Sequence, residues 1–411
     1  MSLATTQVDY QQRVDFDRLR AYRQERIQKA LAQADMAAVL CFDPNSVRYA
    51  TSSYQGEWSR DKMFRYALIP AGGGPILFDS RTLTHVARRP EQYPWLVGRV
   101  RNSEFLWRGA FQPQEPRADK MVGTLKSVLH DLGLDGAPIG VDLVDMQFLA
   151  AAHRAGLNLV DGQQVMLEAR VIKSQDEVEL MRIAASIAEA AFWEMARFLR
   201  PGVRENELVA LISSELINRG SEQIECVAVA SGPHTNPHSS LFSNRVIRPG
   251  EIVYIDIMHA YNGYRTCYYR SFVVGEATKE QRNLYTQCRR WLYDAIDIAR
   301  AGITSADIVE QWPAAAETGS SGVKDESTGF ALSLGHGLGM SLWEKPIINR
   351  EASLDHPYPI EAGMTLALET YAGAPDGSFG VRLEEDVHVL ENGYDLLTKF
   401  PADSLTECPV A

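Results

Sequence analysis

The sequence predicts a mixed α+β chain in two domains, about residues 1–170 and 171–411, the second built from two similar halves. Three observations predict it. First, the β-rich runs Glu251–Ile255 and Tyr264–Phe272 flank Asn262-Gly263, a dipeptide that readily takes the positive φ of a tight hairpin turn. Second, the pattern breaks near Glu168–Lys173, after which Ser174-Gln-Asp-Glu177 has capping-box spacing and opens a long helix. Third, Arg200-Pro-Gly-Val-Arg-Glu-Asn-Glu-Leu-Val209 is echoed by Arg300-Ala-Gly-Ile-Thr-Ser-Ala-Asp-Ile-Val309. Two copies point to a duplicated half, because a solenoid needs at least three.

Composition narrows the class. The 411 residues are 45% hydrophobic and 23% charged, as in an ordinary globular protein with room for a sizeable core. A net charge of -12 opposes nucleic acid or an anionic membrane as partner, since both need a basic footprint. No apolar run approaches the length of a membrane span, and MSLATTQVDYQQ lacks a signal-peptide core. Five scattered cysteines, an odd number, suit a reducing cytoplasm. The expectation is a cytoplasmic protein whose partner is neither nucleic acid nor a membrane.

Taken in order, the first domain predicts a helix over Phe16–Gln33, a strand at Ala37–Phe42 and a turn at Asp43-Pro-Asn. Strands follow at Phe64–Ile69 and Pro75–Phe78, split by Gly72-Gly-Gly, then a helix near Ala118–Leu132 and a strand at Ile139–Asp142. In the second domain Met181, Ala184, Ala188, Phe192, Met195 and Leu199 recur at helical period, and Pro201-Gly202 stops that helix. Each echoed segment then leads through a Gly- and His-bearing stretch to a strand carrying a carboxylate, Asp256 in one half and Glu369 in the other.

Chemistry is read from polar residues inside apolar strands: Asp256 in VYIDIM, Glu369 in TLALETY and Glu384 in GVRLEEDVHVL. A buried carboxylate is costly unless it is paired, hydrogen-bonded or metal-bound. Taken singly, each reads equally well as a strand-end residue reaching solvent. Three together, with His336 in Gly335-His-Gly337, are harder to read that way. The hairpin would let Asp256 share an ion with a residue on the returning strand, where Cys267 stands eleven positions on.

From about Ser174 to Pro401 the chain resembles the creatinase, prolidase and methionine aminopeptidase superfamily of pita-bread enzymes. The motifs are His238 ahead of Asp256 with Arg248-Pro-Gly-Glu-Ile-Val between, Gly335-His-Gly-Leu-Gly339, Ile360–Glu369 and Gly380-Val-Arg-Leu-Glu384-Glu-Asp-Val. The amino-terminal part is similar to the smaller creatinase-type domain. The resemblance implies an α+β pita-bread domain behind a small α/β domain. It also implies metal ligands at Asp256, Cys267, His336, Glu369 and Glu384. Two departures stand out. Cys267 occupies a place the family gives to a bridging aspartate, and a thiolate favours softer ions. Trp343 stands where the peptidases carry a substrate-contacting histidine.

These departures imply C–N hydrolysis of a small cationic or zwitterionic substrate, as in creatinase and the ectoine hydrolases. His238, Asp256, Glu369 and Glu384 are then the catalytic candidates, and Trp343, Tyr264 and Arg382 the substrate-binding ones. One divalent ion (iron, zinc or manganese) or none is compatible with that donor set. Alternatives are a dimethylsulfoniopropionate lyase, whose sequences look similar near Phe42–Thr51 and Ala230–Pro237, an Xaa-Pro dipeptidase, and a non-catalytic binding module. The resemblance further implies a homodimer.

Overall fold

The structure is a computed structural model, and it describes residues 13–54, 56, 63–79, 90–107, 110–112, 114–237, 240–329 and 333–410. By internal contacts the chain divides into two units, Asp15–Arg170 and one that takes in Val171–Ala411.

The smaller unit opens with a helix over Phe16–Gln33, started by Asp15, whose side chain accepts from the Asp17 and Arg18 amides. Six strands follow in one sheet: β1 (Ala38–Cys41), β2 (Tyr66–Pro70), β3 (Ile76–Asp79), β4 (Val100–Asn102), β5 (Ile139–Val141) and β6 (Leu159–Asp161). Their order is β4-β3-β2-β1-β5-β6, with β1 antiparallel to β2 and parallel to β5. The expected turn at Asp43-Pro-Asn is instead the start of a helix, Pro44–Thr51. Asp43 caps it by accepting from the Asn45 and Ser46 amides, and Pro44 sits in the first turn, where its missing N–H costs nothing.

In the larger unit, helices Gln175–Phe198 and Glu205–Asn218 precede β7 (Gln223–Ser231), β8 (Ile252–Tyr261) and β9 (Tyr264–Val274). Helices Lys279–Asp297 and Ser305–Val309 precede β10 (Ser333–Gly337), β11 (Glu344–Ile348), β12 (Thr365–Gly373) and β13 (Gly380–Leu390), with β14 (Gly393–Leu396) and β15 (Thr406–Cys408) closing the chain. Each half is thus a pair of helices followed by antiparallel strands. The sheets run β15-β9-β8-β7 and β11-β10-β12-β13-β14. Where β9 lies beside β13, side chains stitch the seam: the Ser271 hydroxyl donates to Arg382 O and accepts from its amide, and Arg270 donates to Glu384 O.

Strand parity decides what each sheet face does. Val253, Ile255 and Ile257 of β8 and Tyr268 and Phe272 of β9 pack with Ala188, Phe192, Met195 and Leu199 of the first helix. Burying a side chain of this size is worth roughly 1.5–3 kcal/mol. On the second sheet, Leu366, Leu368 and Ala372 of β12 and Val381, Leu383 and Val387 of β13 pack with Tyr285, Cys288 and Leu292 of helix Lys279–Asp297. Side chains alternate along a strand, so the intervening residues must face the other way. Those residues are Tyr254, Asp256 and Met258; Cys267 and Tyr269; Glu369 and Tyr371; Arg382, Glu384 and Asp386. The polar centre is the reverse side of two apolar faces.

Candidate metal and catalytic site

Register fixes the first contacts. Asp256 lies opposite Tyr269, and Met258 opposite Cys267, across the β8–β9 hairpin. Glu369 lies opposite Glu384, and Tyr371 opposite Arg382, across β12 and β13. The Cys267 sulfur is 3.9 Å from Asp256 Oδ1, and the Tyr269 hydroxyl hydrogen-bonds the same carboxyl. Cys267, His336 and Glu384 each offer a ligand atom, and those atoms lie within 4.8 Å of one another with all three side chains buried.

Glu384 is fully buried, and among the described residues no N–H or O–H group donates to its carboxylate oxygens; the Cys267 thiol is its one side-chain hydrogen-bonding neighbour. Such a group needs a proton or a cation. Glu369 already has its cation in an ion pair with Arg382, whose guanidinium also lies 4.2 Å above the Tyr269 ring. Burial pushes Asp256 up to about 7, against the lowering pull of Tyr269 and Arg382. Burial first, then the Asp256 charge, raises Glu384 well above the usual carboxylate range. The Cys267 thiol is raised as well, by burial and then by Glu384 and Asp256.

His336 sits on β10 with Nδ1 2.9 Å from the Gly337 carbonyl. That acceptor favours the ring proton on Nδ1, and the Leu342 backbone is a second hydrogen-bond partner of the ring. Burial lowers its pKa to about 4, so the ring is neutral at physiological pH. Trp343 stacks on it at 4.7 Å between centroids and 7° between planes, and is 46% exposed. The buried Glu384 carboxylate, which no N–H or O–H group neutralises, and the nearby sulfur and imidazole fit a divalent ion. Cys267, His336 and Glu384 would hold it, with Asp256 adjacent and Glu369 paired to Arg382. A bound ion of this kind supplies Lewis acidity and lowers the pKa of a coordinated water.

Other expected site residues fall elsewhere. The Tyr264 hydroxyl is bonded to Glu177 Oε1 on the opposite face of β9 from Cys267, in keeping with their odd spacing. His238 lies outside the described residues. Sequence reasoning missed Tyr269, Tyr254 and Tyr371. Parity pointed to Tyr269, two positions after Cys267, and to Tyr254, two before Asp256.

Residues 179–391, just over half of the chain, match metallopeptidase family M24. The chain belongs to this family. Among curated M24-like relatives, the dimethylsulfoniopropionate lyase DddP of Roseovarius nubinhibens is 27% identical over 403 residues, 95% of this chain and 87% of that protein. The probable dipeptidase PepE of Mycobacterium tuberculosis H37Rv is 29% identical over 284 residues, 67% and 70% of the two chains. Solved structures show the same M24 fold. Dipeptidase PepE from Mycobacterium ulcerans superposes with a TM-score of 0.73 at 23% identity, covering 97% of this chain and all of the other. The Xaa-Pro dipeptidase from Bacillus anthracis gives 0.73 at 21% identity over 94% and 99%. The fold is therefore the α+β pita-bread fold with an amino-terminal domain. Among the described residues no helix is long and apolar enough to cross a membrane.

Proposed function

We propose that this chain is an enzyme that hydrolyses a C–N bond in a small cationic or zwitterionic substrate, using at most one divalent ion (iron, zinc or manganese). One observation carries the reading. Trp343, at the position where the family resemblance implies an imidazole contacting a scissile peptide carbonyl, stacks flat on His336 with nearly half of its surface open. An indole face attracts a cationic head, and an indole cannot take up and return a proton near neutral pH as an imidazole can. Around it, Asp256 and Glu384 form an acidic, water-poor centre in which a cation is stabilised and a carboxyl can keep a proton near neutral pH. Asp256 is placed to hold or pass a proton; Arg382 fixes Glu369 and orients it along β12. His238 is the proposed second proton carrier. The working unit is proposed to be a homodimer.

Full-length similarity to DddP favours a second reading, lyase cleavage of a C–S bond, in which a carboxylate removes a proton and no water is added. One panel separates the two. Purified protein is supplied with guanidino acids, cyclic amidines, a sulfonium carboxylate and Xaa-Pro dipeptides, each with and without added zinc, iron(II) or manganese. Release of urea and an amine from the guanidino acids, or opening of the amidine ring to an amino amide, supports hydrolysis, and volatile sulfide with an unsaturated acid supports the lyase. Efficient dipeptide cleavage would remove both.

A further inference from the structure

The face of the four-stranded sheet that carries Asp256 also carries a row of sulfur. Cys226 of β7 pairs with Met258 of β8, which pairs with Cys267 of β9, so three sulfur side chains stand side by side across three strands. Of these, Cys267 is the one whose ligand atom converges with those of His336 and Glu384. Across the seam Glu369 is held in its buried ion pair with Arg382. A hard carboxylate at position 267 could bridge two ions through two oxygens, whereas one sulfur beside a committed Glu369 cannot reproduce that donor set.

Charge points the same way. A thiolate, a carboxylate and a neutral imidazole carry two negative charges, which neutralise one divalent ion inside a buried pocket. Arg382 balances Glu369. A second divalent ion would add two positive charges against Asp256 alone.

We infer that this centre binds one ion through sulfur, with the Cys267 thiolate, His336 and Glu384 as its protein ligands, and that it therefore selects a thiophilic ion such as zinc or iron(II) over manganese. The inference rests on the proposed reading that an ion works here. When the ion binds, the Cys267 thiol gives its proton to solvent and its sulfur lone pair to the metal, so no oxidant or reductant is involved. The open coordination position that three protein ligands leave is the one a reacting water or substrate would take.

The test uses the full-length protein, freed of metal by chelation and titrated with cobalt(II) as the spectroscopic probe. A near-ultraviolet sulfur-to-cobalt charge-transfer band saturating at one ion per chain is expected. C267S should lose the band and weaken zinc binding by about tenfold or more, since even losing a group that only hydrogen-bonds a ligand costs this much. C226S should keep the band. C267D should lose it and shift preference from zinc toward manganese. Circular dichroism establishes that each variant is folded. If C267S does not fold, zinc-edge X-ray absorption of the unmodified protein decides instead, with one sulfur scatterer expected at about 2.3 Å. Absence of the band in the unmodified protein, its persistence in C267S, saturation at two ions, or a zinc shell without sulfur would overturn the inference. None of these measurements uses turnover. A protein that binds zinc through sulfur but acts on no offered substrate would keep this inference and remove the functional reading.

Discussion

Glu369 and Glu384 face each other across β12 and β13, yet only Glu369 has a guanidinium partner. Two carboxylates in cross-strand register would repel if both were ionised. The asymmetry resolves this: Arg382 takes one, and the other is left for a proton or a metal.

Removing Arg382 should therefore destabilise the metal-free protein more than an ordinary surface change would. R382M leaves Glu369 buried and uncompensated, a loss of about 3–5 kcal/mol for a buried pair broken on one side. The double variant R382M/E369Q should recover much of it. Urea unfolding of the four proteins of that cycle measures the coupling, and additive losses would show that the pair is not coupled.

Trp343 predicts a split between binding and turnover. In the proposed reading its ring holds a cationic head outside the bond being broken. W343A should then raise KM by roughly tenfold, in line with about 1–2 kcal/mol for a partly desolvated cation–π contact, with a smaller change in kcat. W343F should lie between. An unchanged KM in W343A would remove the ring from substrate binding.

Much of this centre was legible because a carboxylate inside an apolar strand is conspicuous. Asp256, Glu369 and Glu384 announce themselves that way, and the Asn262-Gly263 turn brings Cys267 to the neighbouring strand of Asp256. What was not legible depends on register across distant strands. The pairing of Arg382 with Glu369 needs β12 and β13 aligned, and the stack of Trp343 on His336 needs the loop after β10 folded back. Tyr264 shows the cost of ignoring parity: three residues from Cys267, it had to point the other way, toward Glu177. The helix at Pro44–Thr51 was hidden because Asp-Pro-Asn serves equally as a turn and as a helix start.

The loop that carries Trp343 is itself anchored by a buried ion pair. Lys173 Nζ lies 2.9 Å from Glu344 Oε2, both side chains are essentially unexposed, and Glu344 Oε1 accepts from the Ser341 amide at 3.0 Å. K173M should loosen that loop and, through Trp343, the setting of His336. The expected result is a stability loss of about 3–5 kcal/mol by urea unfolding, with a reduced near-ultraviolet dichroism signal from Trp343. The same substitution in a W343F background should leave that spectral region unchanged. A full Trp343 signal in K173M would show that the anchor does not position the indole.

His259 makes a separate prediction about acid. It is buried on the helix-facing side of β8, with Nε2 2.8 Å from the Ala184 carbonyl and Nδ1 3.1 Å from the Ser221 hydroxyl. Burial lowers its pKa to about 4 from an ordinary value of 6.5. The folded protein thus favours the neutral ring. Its contribution is fully present above pH 6.5, where the ring is neutral folded or unfolded, and is lost as pH falls toward 4, because only the unfolded chain takes up the proton in that window. The depression corresponds to roughly 3 kcal/mol across it. H259Q removes the titration, so the stability difference between the unmodified protein and the variant should shrink by about that amount between pH 7 and pH 4. Parallel stability curves over this range would mean that His259 carries its proton in the folded state as readily as it does in water.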